Sequence, residues 1–454
     1  MSEGREIAFP LPLAPFEEYM LGDDHSAYPM VFFLRLRFSG RIDETSFETA
    51  YQAAVSRHSL LRAILASKGK RNLEWVESDQ LPSIRWVERG NSDALPRAAP
   101  MDLTKDPGVA AIGLHGDEGT DVVLQFHHSC CDGLGAFQFV NDLLVAYALE
   151  RGETSARVQL KPLATDRLGQ RDRFDLTVGK LLKMIPRQLV GLLGVGQFIM
   201  RSPVPITQHA PAPIDGELPE DFPSALSFRL DASQSAELRA VATRDQVSAN
   251  DLLARDLFLA IDEWRREHDR GTPDQWLRFS VPMSLRTADD RTMPAANKVS
   301  MIFLDRCGKG FVSPKHLLQS IRDEMALIKR NDLGMTFIFS LWAAKYLLRN
   351  LRKIAKPTAC QATTVLTNLG SPLARTPLPR DQGCLIVGDT KLAELDILAT
   401  LRPLTGVTFC VFEYAGEFNV TMNYDPRVLS ARQAQDLRDT YLRFIQQSLQ
   451  DGKT

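Results

Sequence analysis

Two of the chain's eight histidines stand side by side in the string His127-His128-Ser129-Cys130-Cys131-Asp132-Gly133, and its surroundings constrain the fold more than any other feature. The run 121–126 before it is apolar and of strand length. Over 133–149 after it, Phe137, Val140, Leu144 and Tyr147 recur on one helical face. A strand that turns through a histidine pair into a helix is an α/β unit whose rigid corner projects a reactive side chain. Neighbouring strand residues point to opposite faces, so only one of His127 and His128 can face a given cavity. A neutral imidazole suits proton transfer near pH 7. The Asp132 carboxylate can hold the corner together or orient an imidazole. Adjacent histidines diverge and no third ligand follows at helical spacing, so the pattern does not read as a metal site.

The rest of the chain reads as two halves of similar construction. In the first, Leu34, Leu36 and Phe38 alternate with arginines in a half-buried strand over 31–38. A helix near Asp43 buries Phe47, Ala50, Tyr51, Ala54 and Val55. In the second, Leu226, Phe228 and Leu230 alternate, and Asp231 and Ser233 offer caps to the helix that follows. A longer helix is expected over 248–267, with strands at 276–282, 299–304, 363–366, 406–414 and 417–424. Further helices are expected at 316–330 and near 430–449. Between the halves, 176–214 holds no acidic residue. Lys180, Lys183, Arg187 and Arg201 punctuate its apolar run, and a Pro-rich stretch ends it. We divide the chain into an N-terminal lobe (1–175), a connection (176–214) and a C-terminal lobe (215–454). The connection reads as a packed inter-lobe helix or as an interfacial helix with weak peripheral membrane contact that admits lipid-like substrates.

At 454 residues the chain has apolar material for more than one core. Its 54 basic and 56 acidic side chains lack the basic excess of a nucleic-acid binder. The six cysteines form no CxxC pair and fit a reducing, cytoplasmic setting. No basic-then-apolar leader stands at the N-terminus, and the longest apolar run, 189–200, is too short to span a bilayer.

The segment FHHSCCDGLGAFQF resembles the active-site motif of the CoA-dependent acyltransferase superfamily, which includes chloramphenicol acetyltransferase, condensation domains, alcohol acetyltransferases and wax ester synthases. Supporting segments are FPLPLAPFEEYML, VPMSLR at 281–286 with Asn297-Lys298 after it, Thr367-Asn368-Leu369-Gly370, and GEFNVTMNYDPRVLS. Three departures are Ala296, where the family's "GN" has glycine, a strand over 109–114 without the arginine often seen there in condensation domains, and the absence of the plant branch's DFGWG string.

The resemblance implies two chloramphenicol-acetyltransferase-like α/β lobes (α+β, mixed sheets flanked by helices) with a tunnel between them open at both faces. It implies an acyltransferase that takes an acyl group from a coenzyme A or phosphopantetheine thioester, used as co-substrate with no bound cofactor. His128 would be the base and His127 its support. Asp132 would pair with Arg286 structurally, and Gly133 would admit close backbone approach. Asn368 reads as an oxyanion or substrate contact, or as a turn residue. Cys130 and Cys131 read as small core residues. Acyl-CoA with a small-molecule or lipid-like acceptor is the expected pairing. The alternatives are a trans-acting condensation enzyme served by acyl- or peptidyl-carrier proteins, and a catalytically silent binding protein on the same fold. Arg349, Arg352, Lys353 and Lys356 are candidates for phosphate contact at the donor mouth.

Overall fold

A computed structural model of the chain describes residues 9–69, 72–89, 95–208, 214–269, 271–348, 351 and 358–451. The donor-mouth candidates Arg349, Arg352, Lys353 and Lys356 lie outside the described residues.

The motif strand, Gly119–His127, sits inside a seven-stranded sheet. Val31–Ser39 pairs antiparallel along one side of it and Val109–Gly116 along the other. Arg35 and Arg37 alternate with Leu34, Leu36 and Phe38, so the apolar set faces the helices Glu44–Arg57 and Gly133–Glu150. Phe47 and Tyr51 of the first helix pack edge-on against Tyr147 and Phe139 of the second. Asp43 and Asp132 cap these helices through Ser46 N–H (2.9 Å) and Gly135 N–H (2.8 Å).

The second lobe is a six-stranded mixed sheet ordered Val299–Cys307, Trp276–Ser284, Thr364–Asn368, Val407–Tyr414, Glu417–Tyr424 and Ser224–Leu230. Thr364–Asn368 runs parallel to both of its neighbours. Helices Ala232–Arg244, Ala249–His268, Pro314–Arg330 and Ala431–Asp451 supply the rest of this core, in which Phe258 stacks on Phe279 with centroids 3.6 Å apart.

The lobes are not consecutive in sequence. Residues 380–398, within the expected C-terminal lobe, leave the second sheet and add Thr390–Leu398 to the first, antiparallel to Val31–Ser39. The connection after 175 contains the helix Val178–Met200, seated against the helix Gly334–Leu348.

A second crossing fixes the lobes to each other. The loop 285–298, between two strands of the second sheet, buries Met293, Ala295 and Ala296 in the first lobe's core. There Asp132 Oδ2 accepts from Arg286 Nη1 (2.6 Å) and from Lys298 N–H (2.7 Å), while Arg286 Nη2 donates to the Ala296 carbonyl (2.8 Å). Asn297 Nδ2 donates to the carbonyls of His128 (2.7 Å) and Ser129 (3.0 Å). The expected close approach at Gly133 falls instead at Gly135. A Cβ at 133 would meet only the tip of Leu369 (3.0 Å), but one at 135 would come within 2.8 Å of the Ala296 carbonyl oxygen.

Removing one partner of a largely buried charge pair costs about 3–5 kcal/mol because the other charge is stranded. Asp132→Ala and Arg286→Ala are each expected to lower the melting temperature. The double variant should lose less than the sum of the singles; strict additivity in thermal or denaturant melts would refute the coupling. Gly135→Ala is expected to cost about 1–3 kcal/mol, since backbone on both sides must shift. Gly133→Ala should cost much less in the same melts, because a leucine rotamer can give way.

Candidate active site

The motif strand ends where the lobes meet, and its last two positions part as the strand period requires. His127 turns inward, 1% exposed. Its Nδ1 accepts from Ser129 N–H (3.2 Å), and its Nε2 lies 3.3 Å from Asp24 Oδ2 without hydrogen-bond geometry. His128 lies on the wall of a cavity between the lobes, with its backbone N–H donated to the Met30 carbonyl (2.7 Å) and its ring edge-on to Phe32 (5.2 Å).

The cavity encloses about 1030 Å³, part of it open to solvent. Met30, Phe32 and Ile397 come from the first lobe, and Val299, Met301 and Val365 from the second. Burial in this apolar lining holds the His128 imidazole below its usual pKa, partly offset by its own carbonyl and by Asp132. The ring is therefore a neutral base at pH 7. Among the described residues no group meets hydrogen-bond geometry at its buried Nδ1.

The remaining expected residues fall as follows. Asp132, Gly133 and Arg286 line the same cavity, with the carboxylate committed to Arg286, Lys298 and the helix cap, so Asp132 does not orient either imidazole. Asn368 also lines it, at the end of Thr364–Asn368. Its Oδ1 accepts from Gly370 N–H (2.8 Å), where φ is +62°, so the side chain closes a turn. Its Nδ2 reaches Asn250 Oδ1 at 3.4 Å. Cys130 and Cys131 are fully buried, and burial pushes both thiols far up, so neither supplies a thiolate at neutral pH. Among the described residues no group of His, Cys, Asp and Glu could hold a metal ion.

Sequence reasoning gave no role to two features of the site. Asn297, quoted above only as part of a supporting segment, fastens the backbone that carries His128. Also in the cavity lining, Asp23 and Arg402 form a buried ion pair, with Arg402 Nη1 also donating to Gln361 Oε1 (2.9 Å). Burial raises the Asp23 pKa against the pull of Arg402. The two are 379 residues apart, and no local pattern links them.

Residues 19–165 match the condensation-domain family. An uncharacterized protein of Mycobacterium tuberculosis is 29% identical over 308 residues, which span 64% of this chain and 66% of that relative. The first condensation domain of the calcium-dependent antibiotic synthetase, in complex with a substrate analogue, superposes with a TM-score of 0.69 at 14% identity, covering 98% of each chain. The starter condensation domain of rhizomide synthetase, in a mutant form with C8-CoA and Leu-SNAC, superposes at 0.67 and 14% identity, covering 98% of this chain and 95% of that one. At such identities the superpositions speak for the fold. Over its whole length the chain has the two-lobe α/β fold of these solved condensation domains, and within its first lobe residues 19–165 match the condensation-domain family.

Proposed function

We propose that the protein is an acyltransferase that moves an acyl group from a thioester to a hydroxyl or amine of a small-molecule or lipid-like acceptor, with His128 as general base. One observation carries this reading: a neutral imidazole, anchored through its backbone, stands on the wall of an apolar cavity shared by both lobes. An alcohol or amine must lose a proton as it attacks a thioester carbonyl. The imidazole takes that proton while the new C–O or C–N bond forms. The tetrahedral intermediate then collapses, the C–S bond breaks, and the imidazolium returns the proton to the leaving thiolate. No acylated side chain is needed, in keeping with the buried, protonated Cys130 and Cys131. Asn368 Nδ2 spends one N–H on Asn250 and has a second to offer the oxyanion. His127 and the Asp132–Arg286 pair position the motif without touching the reacting atoms.

In this reading the donor and the acceptor reach the inter-lobe cavity from opposite faces of the protein. Coenzyme A is the preferred carrier, and a neighbour of the same fold was solved with C8-CoA. The condensation-domain match of the first lobe favours a second reading, in which the thioester arrives on the phosphopantetheine arm of a carrier protein. The six cysteines, all unpaired, fit a reducing compartment, and we propose the cytoplasm. No helix among the described residues is long and apolar enough to cross a membrane.

His128→Ala is expected to lower turnover by about 10²–10⁴ with the melting temperature nearly unchanged, the usual worth of a positioned base. His127→Ala should act mainly through stability. Because burial favours the neutral ring, the acid limb of kcat/KM should fall with a midpoint below the ordinary imidazole value of about 6.5. Retained turnover in a folded His128→Ala protein would remove the base assignment.

Release of free thiol from a short or medium acyl-CoA, measured with a panel of alcohols and amines, tests the donor. Saturation at micromolar-to-millimolar substrate, with competitive inhibition by free coenzyme A, is expected. If acyl-CoA stays intact while the same acyl group on a carrier protein is transferred, the condensation reading takes its place. If neither thioester is cleaved, the chain is a silent binder on this fold.

A further inference from the structure

The helix Val178–Met200 carries a stripe that the fold leaves uncovered. Val178, Leu182, Ile185, Leu189 and Leu193 follow at intervals of four, three, four and four, which places them on one face. They are 75%, 63%, 57%, 60% and 70% exposed, and Met200, two turns on, is 85% exposed. The helix is not loosely placed. Its other face is seated: Met184 is buried, Gly191 lies so close to Thr336 that a Cβ would meet its hydroxyl at 2.5 Å, and Gln188 Oε1 accepts from that hydroxyl (2.8 Å). The partner helix Gly334–Leu348 adds Tyr346 and Leu347, each more than 80% exposed. Contiguous exposed apolar surface of this kind marks a contact with something outside the fold.

The charges choose among occupants. From Leu176 to Ile214 there is no acidic side chain, while Lys180, Lys183, Arg187 and Arg201 are basic. Arg187 is matched by Asp332 at 2.9 Å, and Lys180 Nζ donates to the Asp175 carbonyl (3.1 Å); Lys183 stands exposed between the stripe and the seated face. An anionic bilayer accepts the apolar face among its acyl chains, and the long lysine stems reach its headgroups from the side of the helix. The helix is not apolar enough to cross a bilayer, so it lies along the interface.

We infer that the stripe of Val178–Met200 is a docking surface for an anionic lipid bilayer. The inference rests on this surface alone and stands whether or not the cavity performs acyl transfer. The helix is tied to the cavity through its seated face: Met184 belongs to the same apolar cluster as Met20 and Met30, which line it.

Co-sedimentation of the full chain with phosphatidylcholine–phosphatidylserine vesicles tests it, with phosphatidylcholine vesicles as comparison. Binding should be strong at low salt on the anionic vesicles, weaken as salt rises, and be weak on neutral ones. Leu189→Ser together with Leu193→Ser, both exposed and so neutral to folding by thermal melt, should lower partitioning by more than about tenfold. Lys180→Glu with Lys183→Glu should remove the salt-sensitive part. No binding to anionic vesicles at low salt would overturn the inference, as would binding indifferent to the Leu189 and Leu193 changes. A stable dimer in light scattering that dissociates in the leucine variant would also overturn it and assign the stripe to a second copy.

Discussion

A single carboxylate holds the two halves of this molecule in register. Asp132 gives one oxygen to the first turn of its own helix, through Gly135 N–H, and the other to Arg286 and Lys298 of the opposite lobe. With the loop 285–298 drawn against the motif, Asn297 reaches the carbonyls of His128 and Ser129, and Ala296 closes on the one glycine that can tolerate it. The base is thus positioned through its main chain, and its ring remains open to the cavity.

The loop is secured behind the clamp as well. Lys298 Nζ meets both oxygens of Asp290 (2.9 and 2.8 Å), and Arg167 adds two further contacts (3.1 and 2.7 Å). Although burial works against it, these partners and the Thr287 N–H hold the Asp290 carboxyl down to about 2. A comparable buried unit sits under the opening segment, where Glu17 binds Arg171 (2.6 and 2.8 Å) and accepts from Trp75 Nε1 (3.0 Å). Buried ion pairs of this kind add little net stability over apolar packing, but they accept only one geometry. In a two-lobed protein whose cavity lies on the joint, that selectivity sets the shape of the cavity.

Much of this was legible in the order of residues, for identifiable reasons. The strand Val31–Ser39 and the helix Gly133–Glu150 announced themselves because each has one apolar face of the right period, Gly119–His127 because its apolar run is continuous, and Asp43, Asp231 and Ser248 marked helix starts by chemistry that acts within three residues. The helix Gly334–Leu348 did not, because it packs against the cavity cluster on one side and Val178–Met200 on another and is apolar nearly all round, which erases its period. Thr390–Leu398 was hidden by a register shift between Leu392 and Glu394 that breaks its alternation. At the site, His128, Asp132 and Arg286 were found through motif resemblance, and the catalytic and supporting parts assigned to them in acyl transfer remain a proposal. Asn368 proved to be bound into a turn, and Asp23 with Arg402 could emerge only from folding, since nothing short-range joins them.

The strand Thr390–Leu398 also makes the lobes interdependent in time. Ser227 Oγ donates to Asp396 (2.8 Å), and Arg35 binds the same carboxylate, so this strand is riveted to both sheets. During synthesis the first lobe's sheet must wait for residues made some 360 positions after Val31 before one side of Val31–Ser39 is covered. Until then that side presents unpaired amides and carbonyls over nine residues, the kind of edge that pairs with other chains. A fragment cut at the inter-lobe connection would keep that open edge permanently. The half that bears the histidine motif therefore does not complete its own sheet: the far end of the chain supplies the strand that covers this edge.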